Sequence, residues 1–151
     1  VIAGLAGRAL KGGVALNASL RPVALNAYRM AAAIVIIGPP LVAVGIMGFP
    51  VVEVISGVAL SFGMLLLAFL LVLIALSCRE LLPKLLLCVA ALSLTATMGL
   101  SATYAMGGEE LISNHMMAST HGVINVLGFT LCGGAGLVML LRSRKDHQGV
   151  D

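Results

Sequence analysis

Four uninterrupted apolar stretches, 28–49, 51–76, 85–106 and 116–141, dominate the sequence. Each reaches the roughly 20 residues that a helix needs to cross a hydrocarbon core of about 30 Å. Because the runs are continuous rather than alternating, and far longer than a barrel strand, they exclude a transmembrane β-barrel. The predicted class is all-α: a polytopic transmembrane helix bundle of four spans. The composition agrees, with 60% hydrophobic and 10% charged residues where a soluble domain carries roughly a quarter charged. A nucleic-acid binder is excluded as well, since the net charge of +3 comes from scattered residues, with no basic run and no tryptophan.

Placing the charges on the four spans gives a topology. Arg8, Lys11, Arg21 and Arg29 precede or open the first span, Arg79 and Lys84 separate the second from the third, and Arg142, Arg144 and Lys145 follow the fourth. All nine fall on one side, so the amino-terminal segment, the 77–84 loop and the 142–151 tail are expected in the cytoplasm. The 48–50 turn and the 107–115 loop, which carries Glu109 and Glu110, then face outward, as in a bacterial inner-membrane protein. Residues 1–27, beginning at Val1, read either as an interfacial segment or as the end of an earlier span. Gly38, Pro39 and Pro40 are expected to break or kink the first span. Cys78, Cys88 and Cys132, an odd set without a CxxC spacing, read as reduced, small apolar residues.

Polar side chains inside a membrane are costly and so mark candidate sites. Here they gather toward the outer side: Glu53, Thr103, Tyr104, Asn114, His115, Thr120, His121 and Asn125. On an ideal α-helical wheel Met117, His121, Asn125, Gly128, Cys132 and Ala135 form one narrow stripe, with Val123, Val126, Thr130 and Leu137 opposite. The small, polar stripe is expected to face other helices, and the bulky side to face lipid or a partner. His115 and His121 are about 120° apart on that wheel at 100° per residue, so one continuous helix cannot aim both at one metal. Two readings of the stripe stand side by side. In one, His121, Asn125 and Thr120 make interhelical hydrogen bonds. In the other, His121 ligates a metal or haem, binds a lipid-soluble cofactor or relays a proton, with Asn125, Met117, Tyr104 and Glu53 around it.

The stretch Tyr104-Ala105, a glycine at 107 or 108, Ile112, Met117 and His121-Gly122-x-x-Asn125-x-x-Gly128-Phe129 resembles the carboxy-terminal signature of the YndJ-like family of bacterial integral membrane proteins. The resemblance groups Met117, His121, Asn125, Gly128 and Phe129 as a constellation and implies no established activity. With no extramembrane domain, nucleotide loop, paired carboxylates or nucleophile in the sequence, the expected function is that of a non-enzymatic subunit. Its partners would be the lipid bilayer and other membrane subunits or copies of itself. The alternative is a haem, metal or lipid-soluble cofactor protein built around His121. A transporter is weaker, since four spans without a repeat offer little for alternating access.

Overall fold

The computed structural model describes residues 1–12, 20–107 and 113–148. Among them the chain is helical with no strand: α1 (Ile2–Gly12), α2 (Leu20–Ile46), α3 (Pro50–Leu76), α4 (Leu81–Gly107), α5 (Asn114–Val123), a π-helical segment (Ile124–Cys132) and α6 (Gly133–Gln148). The last three run on without a break and together make the fourth span. Four helical stretches, Arg21–Ile46, Val51–Leu76, Leu81–Thr103 and His115–Ser143, are long and apolar enough to cross a membrane. Glu109 and Glu110 fall outside the described residues, as do the side chains of Tyr104 and His147.

Local chemistry explains most of the helix limits. Pro22 is accommodated near the start of α2, and among the described residues the helix is already formed at Leu20, ahead of Tyr28 where the apolar run begins. The expected break at Gly38, Pro39 and Pro40 does not occur: α2 continues as a helix through both prolines. Between α2 and α3, Gly48 adopts φ +134°, a region that disfavours any side chain, and Pro50 opens α3 at a position that suits proline. Extended Ser113 caps α5 by accepting a hydrogen bond from the Met116 amide at 3.3 Å.

The spans pack in chain order, α2 on α3, α3 on α4, and α4 on the fourth span. Among the described residues no extensive contact joins α2 directly to the fourth span; instead α1 packs against both α6 and α2. It lies at the end of the molecule that carries the basic residues. Its apolar face buries Ala6, Ala9 and Leu10, while Arg8 and Lys11 stay exposed, the pattern of an amphipathic helix. Gly7 lets the Tyr28 ring of α2 lie directly on the α1 backbone, where a Cβ would come within 2.5 Å of it. Arg21 adds a hydrogen bond to the Lys11 carbonyl.

Among the described residues the apolar core runs from this basic end to mid-span. It joins Leu67, Leu70, Leu71 and Ile74 of α3, Leu87 and Leu94 of α4, and Leu137 and Leu140 of α6 to the buried alanines of α1 and α2. In lipid such a core is held by close van der Waals contact, not by escape from water. Cys78, placed by the sequence in a loop, is buried beneath it and donates its thiol to the Ile74 carbonyl at 3.3 Å.

Candidate functional site

Toward the other end, α4 presents Ser93, Thr97 and Ser101 at intervals of four residues, one face of an α-helix. The fourth span meets each of them in turn. Ser101 Oγ lies 3.4 Å from His121 Nδ1, and Thr97 Oγ1 lies 3.3 Å from Asn125 Oδ1. Gly128 sits so close to Ser93 that a Cβ would come within 1.9 Å of the Ser93 hydroxyl. Below that the partners become apolar: Gly133 faces Ala90, and Gly136 faces Leu87. A seam of matched residues thus runs from His121 down into the core.

The hydrogen bonding along the seam has a direction. Ser93 donates to the Val89 carbonyl at 2.8 Å, which turns its hydroxyl back on its own helix. Thr97 is fully buried and also lies 3.0 Å from the Leu94 carbonyl. Its single proton can serve either Leu94 or Asn125 at one time, so the Thr97–Asn125 contact competes with a bond inside α4. For the Ser101–His121 pair the donor depends on the imidazole tautomer. With Nδ1 unprotonated, Ser101 donates to it.

The spacing of the seam residues on the fourth span, 121, 125, 128, 133 and 136, contains one interval of five. An α-helix repeats a face every three or four residues, whereas i→i+5 bonding in a π-helix uses more residues per turn. The interval of five, Gly128 to Gly133, runs from within the π-helical segment to the first residue of α6. This corrects the wheel derived from a uniform α-helix. The wheel holds as far as Gly128, and from there on the interface passes to Gly133 and Gly136 in place of Cys132 and Ala135. Ala135 is exposed, and Leu137, expected on the lipid side, is fully buried. Val123, Val126 and Thr130 are exposed, as the wheel has them.

The remaining site residues divide. Met117 lies one turn above His121 and is half-buried; His115 is exposed. Glu53 occupies the first turn of α3, exposed, with its backbone pressed against Gly45 of α2. Its described contacts therefore belong to the α2–α3 hairpin. Tyr104 lies three residues beyond Ser101 on α4. Among the described residues no group of three or more His, Cys, Asp or Glu side chains is gathered as a metal site. Sequence reasoning named His121, Asn125 and Gly128 of the seam and missed Gly133 and Gly136 on the fourth span and Ser93, Thr97 and Ser101 on α4. The four-residue spacing of the α4 hydroxyls was the available signal.

Neither a curated protein nor a solved structure matches the chain. The model of the YndJ-like protein family matches residues 1–129, which takes in α1 to α5 and the start of the π-helical segment. With most of its length matched, this helical chain with four membrane-length apolar helices belongs to the YndJ-like family.

Proposed function

We propose that the chain is a non-enzymatic integral membrane subunit that docks in a larger membrane assembly, with its basic end in the cytoplasm of a bacterial cell. One observation carries the reading. Among the described residues the spans form a row closed only at the basic end by α1, so α2 and the fourth span each have one packed flank and one open flank. None of the nine residues of the π-helical segment is buried. Open flanks of this length suit further membrane helices. Extraction from native membranes in mild detergent, followed by native mass spectrometry, is expected to give a discrete assembly containing this chain. A monomer without partners overturns the reading.

A second reading is favoured by the seam itself. π-helical turns inside membrane or soluble helices occur frequently at functional sites, and here one sits beside His121 and Asn125. In this reading the residues hold a haem, a metal or a lipid-soluble cofactor, with Met117 one turn away and Tyr104 and Glu53 as the further candidates. Purified protein would then show a cofactor absorbance band or bound metal that His121→Ala removes. Protein free of both, and unchanged by that substitution, eliminates the haem and metal forms.

A further inference from the structure

We infer that the crossing of α1 and α2, flanked by Arg8 and Arg29, holds the phosphate of an anionic phospholipid in the leaflet at the basic end. The inference uses only the membrane-spanning fold and stands apart from the two readings above.

Arg29 lies deeper than Arg21 on the same helix. The α2–α3 hairpin sets its depth: Gly45 of α2 meets exposed Glu53 of α3, and a charged side chain there marks the membrane edge at that end. From Gly45 to Arg29 α2 spans about 24 Å at 1.5 Å per residue, short of a hydrocarbon core of about 30 Å. The Arg29 backbone thus stands within the apolar layer, from which a long cationic side chain reaches the headgroups of the nearer leaflet. A cation at that depth needs a counter-charge. Among the described residues Arg29 has the neutral Asn26 side-chain oxygen, at 3.3 Å. The described carboxylates lie elsewhere: Glu53 at the opposite end, and Glu80 in the turn before α4, where it accepts from the Ser143 hydroxyl.

Arg8 brings a second guanidinium to the same place, and among the described residues no carboxylate pairs with it. Gly7 takes the Tyr28 ring directly onto α1, so Arg8 and Arg29 each follow one member of the touching pair, and both are exposed. The Tyr28 hydroxyl sits at the contact itself, and Gly4, exposed with nothing within 4 Å of where its β-carbon would stand, leaves the α1 side clear. Arg21, about two turns nearer the helix end, is taken by the Lys11 carbonyl. Guanidinium forks match the paired oxygens of a phosphate diester, and a tyrosine hydroxyl can donate a further bond. Basic pockets between membrane helices bind anionic lipid headgroups in this way. Two positive charges with no acid between them select a headgroup of net negative charge, since a zwitterionic one would bring a cation of its own beside them.

The test titrates the purified chain in detergent with phosphatidylglycerol, phosphatidylcholine and inorganic phosphate, and counts bound lipid by native mass spectrometry. We expect phosphatidylglycerol to bind about tenfold more tightly than phosphatidylcholine, and Arg8→Gln/Arg29→Gln to abolish that preference. Arg79→Gln/Arg142→Gln, which removes two exposed charges from the same end, should leave it within about twofold. Arg8→Lys/Arg29→Lys keeps the charge without the fork and should give an intermediate preference, a readout that survives if the glutamine pair misfolds. No preference in the unaltered chain, an equal loss in Arg79→Gln/Arg142→Gln, or displacement of the lipid by inorganic phosphate overturns the inference. So does a carbodiimide crosslink from Arg29→Lys to a protein carboxylate in native membranes, which would make the counter-charge a side chain.

Discussion

The two ends of the molecule solve the same packing problem with different chemistry. At the basic end Leu71, Ile74, Leu87 and Leu137 are fully buried, and α1 closes the row against α6 and α2. At the other end the α4 contact is a line of hydroxyls and glycine, Ser101, Thr97 and Ser93 against His121, Asn125 and Gly128, and no residue of the π-helical segment is buried. The contrast shows where a membrane helix pair gets its strength. Interhelical hydrogen bonds in membranes contribute about 0.6 kcal/mol each, whereas removing a buried leucine side chain costs about 2–5 kcal/mol in packed interiors. The polar end specifies register, and the apolar end holds the helices together.

That division can be broken by experiment. The sharpest readout is all-or-none. With Cys88→Ala in the background, Ala90→Cys should form a disulfide almost completely with Gly133→Cys in a Cys132→Ala chain, since the two β-carbons would stand close together. Ala90→Cys paired instead with native Cys132 should stay near background. The reverse pattern would mean that the fourth span is a plain α-helix. Next in size, Leu137→Ala should destabilise the purified protein by about 2–5 kcal/mol, measured by reversible unfolding in bilayers or mixed micelles. An effect under 1 kcal/mol, roughly that of a single membrane hydrogen bond, would place the core elsewhere.

Gly128→Val introduces bulk where even a Cβ has no room beside Ser93. The cost of such overpacking is about 1–3 kcal/mol, and Ser93→Gly in the same chain should recover part of it. Recovery separates a local clash from a general loss of folding. The smallest effect is expected for Asn125→Ala, about 0.6 kcal/mol and no more than about 1.7, because Thr97 keeps the Leu94 carbonyl within 3.0 Å as an acceptor. A loss as large as that of Leu137→Ala would overturn the division between the ends.

Much of the fold was legible because membrane spans obey length and charge rules that each stretch satisfies alone. The site was legible only as far as the helix kept one period. His121, Asn125 and Gly128 lie on the uniform wheel, which put them on one face without naming the α4 residues they meet. Gly133, Gly136 and Leu137 do not, since the π-helical segment lies between the Gly128–Ser93 contact above and the buried Leu137 below and shifts the face. That shift has no local motif: the run Cys132-Gly133-Gly134-Ala135-Gly136 is small in either register. The continuity of α2 through Pro39 and Pro40 was likewise beyond local rules, which describe a helix without neighbours.

The contact between α1 and α6 also fixes an order of events during synthesis. Ile2 reaches to within 3.6 Å of where a Gly133 side chain would begin, so residues near opposite ends of the sequence must meet to complete the basic end. Until α6 has left the ribosome, α1 has only its contacts with α2 and α3, and the Leu87 side of α4 lacks its partner. The α2–α3 hairpin, whose contacts are local in sequence, can form in the bilayer well before that. Closure is therefore a late step, with a long-range contact as its signature, and a chain stalled before Gly133 should carry an assembled hairpin with α1 held by α2 and α3 alone, readable as greater protease sensitivity of residues 1–12 than in the finished chain.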